Sequence, residues 1–164
     1  MAGLLDGIKV ISVGQMVSAP AASAWLADMG AEVIKVEPLT GETFRGTTSA
    51  QGSPTTTTRG SVVVRPGFQL VNRGTKSLAL DLKKESGRKI LYELVKKADV
   101  FVTNYQLEAI QKLKLDYASL SPLNPGLVYA FISGFGTVGP DKDVGAYDWV
   151  ASWARSGMQY LLSE

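Results

Sequence analysis

Two residue types are missing altogether: the 164-residue chain contains neither cysteine nor histidine. Without cysteine there are no disulfides, no thiolate nucleophile and no cysteine-built metal site. Without histidine, the usual general base at neutral pH and the commonest metal ligand are gone as well. Chemistry is left to carboxylates, hydroxyls, amines and backbone dipoles, and no metal is expected. Excess charge is missing too. The formal net charge is +2, too small for an extended nucleic-acid face or an acidic-membrane anchor. No run approaches the roughly 18–20 apolar residues of a membrane span. The opening MAGLLDGIKVISVG lacks the basic and apolar segments of a secretory signal. The expectation is a cytoplasmic protein with no nucleic-acid or membrane partner.

What is present fits an ordinary globular domain: 45% of residues are hydrophobic and 20% are charged. A chain of this length forms one domain and buries roughly 70% of its unfolded surface. Residues 8–13, IKVISV, are a short β-branched run with the look of a central parallel strand. Ser18 as a cap and Pro20 in the first turn then start a helix, PAASAWLADM, that Gly30 ends. A second strand follows at 32–38, stopped by Pro38. Strand, helix, strand at this spacing is a βαβ unit with a right-handed crossover. The alternation resumes with a strand at 77–82, a helix at 85–98, a strand at 99–105, a short helix LEAIQKLKL and a strand at 127–133. In the 85–98 helix, Ile90, Leu91, Leu94 and Val95 form the apolar stripe, with Glu85–Lys89 and Glu93–Lys97 paired on the wet face. The last stretch, from Tyr147, is helical in its first half. Residues 39–75 break the rhythm: rich in Thr, Ser and Gly, they read as a long mobile loop, either a plain surface insertion or a segment linked to a ligand. The fold class expected is α/β: a Rossmann-like open, mainly parallel sheet with flanking helices, in a single domain over 1–164.

The stretch LVYAFISGFGTVGP carries G-x-G-x-x-G at Gly134, Gly136 and Gly139. A working dinucleotide fingerprint opens a helix, so that the pyrophosphate meets the free N–H groups and positive dipole end. Here Gly139 runs into PDKDVG, where Asp141 and Asp143 would repel a phosphate, and the motif follows the last predicted strand rather than the first. The reading is no NAD. The glycines serve a tight loop that approaches a ligand or a neighbouring backbone.

Six stretches together resemble the class III coenzyme A transferases, the group that includes formyl-CoA and carnitine-CoA transferases and α-methylacyl-CoA racemases. They are LLDGIKVISVGQMVSAP, LADMGAEVIKVEP, NRGTKSLALDLKKESGRKIL, ADVFVTNY, LNPGLVYAFISGFGTVGP and AYDWVAS, in the family's order along nearly the whole chain. The resemblance implies coenzyme A or acyl-CoA as substrate, with a carboxylic acid as acceptor. It assigns the coenzyme to Val17 and Ser18, to Leu80, Asp81, Leu82 and Lys83, to Asn104, Tyr105 and Gln106, to Lys112, and to Tyr147 and Asp148. Lys83 suits a phosphate, since an ammonium facing one makes a charge-assisted bond; the same lysine could equally be a solvated residue ahead of a helix. Lys112 falls where the family often has an arginine; lysine keeps the charge and loses the bidentate fork. Tyr147 either lines the thioester end or packs in the core.

Departures from the family pattern carry information of their own. Gln15 stands where some transferases have a histidine and can still donate a hydrogen bond to a substrate oxygen. Pro38 replaces a basic residue, and Gln106 interrupts an Asn-Phe-Arg-Pro-Gly run, so phosphate recognition is expected either to be weaker or to lean on Arg73 and Lys76 instead. The family's aspartate nucleophile is expected beyond Glu164. No catalytic residue is therefore assigned within the chain, which alone is expected to be an inactive part of a longer protein. Asp148 and Asp28 are the carboxylates one could nominate instead, and Asp28 is expected to face solvent. The family forms an interlocked homodimer, and a chain lacking the partner elements is expected to associate. Two alternatives accompany the transferase reading: a racemase-like lineage, disfavoured by the missing histidine, and a non-catalytic module that binds coenzyme A or assembles with another subunit.

Overall fold

The computed structural model describes residues 3–46, 57–59, 62–147 and 149–162. Five strands form one sheet: β1 (Lys9–Val13), β2 (Glu32–Glu37), β5 (Lys76–Ala79), β6 (Val100–Thr103) and β7 (Val128–Phe131), in the order β5-β2-β1-β6-β7. Every pairing is parallel, with Ile11 opposite Ile34 on one side and Phe101 on the other. The expected open parallel sheet is the observed one. A separate antiparallel pair, β3 (Thr57–Arg59) and β4 (Val62–Val64), stands apart from it.

Alternation along the strands divides the core in two. Ile11, Val13, Val36 and Phe101 face α3 (Glu85–Val95), α4 (Leu107–Leu113) and α5 (Tyr117–Leu120), meeting Leu91, Val95, Ile110, Leu115 and Leu120. Val10, Val33 and Val102 face the other way, toward α1 (Ser18–Asp28), which contributes the small Ala19. In α3 the buried positions are Gly87, Leu91 and Val95. Ile90, expected in that stripe, is 50% exposed, because the helix turns Gly87, not Ile90, onto the chain: a Cβ at Gly87 would come within 2.2 Å of the Asp81 carbonyl oxygen. Asn124 closes the far end of the helix, donating to the Val95 and Ala98 carbonyls at 3.0 and 2.7 Å.

Several boundaries differ from expectation. The expected 39–75 loop contains a 3-10 turn at Thr43–Arg45 and a helix, α2 (Pro66–Asn72), started by the proline at its first position; residues 47–56 and 60–61 lie outside the described set. Helix α2 packs on α1 and buries Phe68 and Val71. Helix α5 was not expected either, though Asp116 caps it by accepting from the Ser119 amide at 3.1 Å. The expected strand at 77–82 ends at Ala79, where Leu80–Lys83 turn into α3. Ser18 is not the cap of α1; it is the first helical residue, and its hydroxyl is engaged elsewhere. Glu93 pairs with Lys96, three residues on, at 2.6 Å rather than with Lys97. Beyond β7 come a π-helical turn at Trp149–Ala154 and the short α6 (Met158–Leu162). No helix among the described residues is long and apolar enough to cross a membrane.

Candidate functional site

In an open parallel sheet, the strand order reverses where chain connections leave in opposite directions, and a crevice opens there at the carboxyl ends of the strands. Here that point lies between β1, whose connection leads to β2, and its other neighbour β6. A cleft of about 1200 Å³ occupies it. Its walls are the turns after β1, β2, β5, β6 and β7, closed by residues 142–147.

The two central turns are tied to each other. The Asn104 carbonyl oxygen accepts from the Gln15 amide at 2.9 Å. Its NH2 donates to the Gln15 carbonyl at 2.8 Å and to the Ser18 hydroxyl at 2.9 Å. This approach demands glycine at position 14, where a Cβ would meet Ala19 Cβ at 2.5 Å and Asn104 Oδ1 at 3.1 Å. Met16 takes up the bend at φ 61°, a left-handed conformation that costs a non-glycine residue about 1–2 kcal/mol. Its amide donates to Glu42 Oε2 at 2.9 Å.

Behind the cleft lies a buried ionic cluster. Lys35 and Glu42, whose side chains are each 2% exposed, form an ion pair, and Lys35 also donates to Asn72 Oδ1 at 2.5 Å. Burial pulls the Lys35 ammonium below the ordinary lysine range, against the opposing pull of the Glu42 carboxylate. Glu37, at the end of β2, receives both arms of Arg45 at 2.6 Å each, the Ser77 hydroxyl at 2.5 Å and the Glu42 amide at 3.1 Å. Burial alone would raise its pKa; the Arg45 fork, the Ser77 hydroxyl and the Glu42 amide outweigh burial and hold it at about 2. Phe68 carries Lys35 at 5.2 Å and the Arg45 guanidinium at 4.2 Å from its ring centre. The Tyr105 hydroxyl at the cleft is pushed upward, by burial first and then by Glu42 and Glu37; it therefore stays protonated at neutral pH and can donate.

The turn after β5 is equally fixed. The Lys83 amide donates to Asp81 Oδ1 at 3.1 Å, and Arg88 donates to the Leu82 and Lys83 carbonyls at 3.0 and 2.8 Å. Lys84 faces Asp81 at 3.9 Å, which leaves the Lys83 ammonium without an ion pair among the described residues.

The sequence-derived residues divide clearly. Gln15, Val17, Ser18, Leu80, Asp81, Leu82, Lys83, Asn104, Tyr105, Gln106 and Tyr147 all line this cleft. Tyr147 is 69% exposed, so it is not a core residue. Lys112 does not belong to the lining: Leu107, Ala109 and Leu113 are the α4 residues that line the cleft, and Lys112 pairs with Glu108 at 2.6 Å on the outer face. Arg73 and Lys76 are at the opposite edge. Lys76 begins β5 and pairs with Glu32 at 2.6 Å, and Arg73 pairs with Asp28 at 2.5 Å. Asp28 faces solvent as expected, its side chain 46% exposed, and holds this ion pair at the surface. Asp148 lies outside the described residues. Sequence reasoning missed Lys142, which lines the cleft. Asp141 beside it pairs with Arg155 instead, and only a basic residue inside PDKDVG hinted at this. The glycine-rich stretch leads into turns at 140–143, not a helix, as its failed fingerprint implied.

A five-stranded doubly wound sheet with a cleft at its switch point defines a Rossmann-like domain, and comparison with known proteins narrows the class. The family model for CoA-transferase family III matches residues 5–164, and the chain belongs to that family. It is 39% identical over 161 residues to cinnamoyl-CoA:phenyllactate CoA-transferase of Clostridium sporogenes, covering 98% of this chain and 38% of that protein. To succinate–glutarate CoA-transferase of Agrobacterium fabrum it is 38% identical over 162 residues, covering 98% and 39%. The crystal structure of a CAIB/BAIF family protein from Brucella suis superposes with a TM-score of 0.84 at 34% identity, covering 96% of this chain and 40% of that one. The chain thus spans about two fifths of the length of these relatives.

Proposed function

We propose that this chain supplies the coenzyme-binding wall of an enzyme that moves coenzyme A from an acyl-CoA to a carboxylic acid. The observation that carries this reading is the cleft at the β1/β6 switch point, where a basic turn (Lys83) and a tied pair of turns (Gln15 and Asn104) converge. Lys83 and Lys142, both lining the cleft, meet the phosphates of the coenzyme. Leu80, Leu82, Val17 and Tyr105 offer apolar surface to the adenine and the pantetheine arm. Gln15 donates to a substrate oxygen near the thioester, and Tyr147 borders the same end.

The chemistry that fits the family is covalent. A carboxylate attacks the thioester carbonyl, giving a mixed anhydride and free CoA thiolate. The thiolate attacks the enzyme's own carbonyl in that anhydride, releasing the donor acid and leaving an enzyme–CoA thioester. The acceptor carboxylate attacks that thioester, forming a second anhydride and thiolate; attack of the thiolate on the acceptor's carbonyl yields the new acyl-CoA and frees the enzyme carboxylate. The nucleophile is assigned to an aspartate outside these 164 residues, so the chain alone binds without turnover. In the complete enzyme the chain works as a cytoplasmic homodimer.

Calorimetric titration of the chain with coenzyme A at low and moderate salt tests the reading. Binding that weakens with salt is expected, because phosphate charges meet lysines. Salt-independent binding, or an affinity that Lys83→Ala leaves intact, would overturn the assignment of the phosphates to this turn.

A further inference from the structure

The Gln15–Ser18 turn is gripped from two sides, and only one grip comes from the cleft. Asn104 holds the Gln15 backbone from β6. The Met16 amide points away, into the protein, where Glu42 accepts it. Glu42 is 5% exposed and belongs to the segment that follows β2. Its other carboxylate oxygen is taken by Lys35. Lys35 in turn is held by Asn72, whose NH2 donates to the Phe68 carbonyl at 2.9 Å within α2. The carboxylate is thus clamped between β2 and α2 and cannot swing away from the amide it receives.

A buried ion pair is a poor device for stability alone. Desolvating two charges offsets most of their attraction, and well-packed apolar residues of similar volume would serve as well. What apolar residues cannot provide is an ionised acceptor for a single amide that the left-handed bend at Met16 removes from every helix and strand ladder. A charged acceptor makes about twice as strong a bond as a neutral one. Lys35 holds that carboxylate in place from its other oxygen.

We propose that Glu42 is a positioning residue: its carboxylate sets the Met16 bend and thereby aims Gln15, Val17 and Ser18 at the bound substrate. The functional part rests on the reading of the cleft as a coenzyme site; the structural part does not.

The test uses the 15N-labelled 164-residue chain, Glu42→Gln and, as a control within the same ionic cluster, Ser77→Ala. Ser77 donates to Glu37, does not itself line the cleft and makes no bond to Glu42 or Met16. In the parent chain the Met16 amide is expected to exchange slowly with solvent despite lying outside regular structure. In Glu42→Gln its resonance shifts upfield and coenzyme A binds about tenfold more weakly, the loss of one charge-assisted bond. Ser77→Ala lowers the melting temperature but leaves the Met16 resonance in place and the affinity within about twofold. Rapid Met16 exchange in the parent chain overturns the proposal even where Glu42→Gln fails to fold. An unmoved resonance in a folded Glu42→Gln overturns it too, as does an equal loss of affinity in both variants. A parent chain that binds no coenzyme A sinks the cleft reading, while the exchange rate and resonance still decide whether Glu42 holds the bend.

Discussion

Asn104 meets the Gln15 backbone with both ends of its side-chain amide, accepting from the N–H at 2.9 Å and donating to the carbonyl at 2.8 Å. Two turns 89 residues apart in sequence are thereby fastened across the switch point of the sheet. Asn104→Ala removes these bonds and leaves the Ser18 hydroxyl without its donor. A stability loss of about 1–3 kcal/mol is expected, read as a lower urea midpoint with an unchanged slope, together with weaker binding of coenzyme A by calorimetry. Asn104→Asp keeps the acceptor but sets a carboxylate against the Gln15 carbonyl. It is expected to be no better than alanine.

Lys83 and Lys112 offer a direct contrast between what resemblance implies and what the fold presents. Lys83→Ala is expected to weaken coenzyme A binding about tenfold and to flatten its salt dependence. Lys112→Ala, which removes only an exposed pair with Glu108, is expected to change affinity by less than about twofold. Equal losses from both variants in titrations at two salt concentrations would mean that α4 turns its outer face toward the ligand.

Along α3, exposure decides the cost of a substitution. Leu91 is fully buried, so Leu91→Ala opens a cavity and is expected to cost about 2–5 kcal/mol. Ile90→Ala, one residue earlier and half exposed, is expected to cost about 1 kcal/mol or less. Urea unfolding of the two variants measures the difference, and comparable values would place Ile90 under a covering surface.

The Glu37 carboxylate ties stability to acid. Its pKa is about 2 when folded against an ordinary 4.5, so the folded state favours the ionised form. That contribution is fully present above about pH 4.5 and is lost as pH falls through 4.5 toward 2. Because the Arg45 partner is 40% exposed, solvent screening leaves an expected effect on the order of 1–2 kcal/mol. Melting temperatures measured from pH 6 to pH 2 should fall more steeply for the parent chain than for Arg45→Ala. Parallel curves would count against the Glu37–Arg45 link.

Much of this protein was legible along the chain. The β-branched runs at 8–13, 32–38 and 99–105, the first and third followed directly by a helical pattern, determined a parallel α/β sheet, because strand and helix periodicities are local properties of residue order. The quoted stretches likewise carried the family and most of the cleft residues, since residues following successive parallel strands are brought to one edge by the topology itself. Helices α2 and α5 were less legible. The first lies in a Thr- and Gly-rich context and is marked only by Pro66; the second is a single turn whose signal is Asp116.

Tertiary structure alone decided the rest. Arg73 and Lys76 are as basic as Lys83, yet the first precedes β5 and the second begins it, so both fall at the amino edge, away from the cleft. Lys112 is one residue from Leu113, and the 3.6-residue turn of α4 sends Leu113 inward and the lysine out. Glu42 looks in sequence like any polar loop residue. Its burial against Lys35, and its hold on Met16, come from β2 and α2 closing around it. The physical reason is common to all three: residue order dictates what each segment can form, whereas the direction a charged side chain takes depends on which neighbours, distant in sequence, are there to receive it.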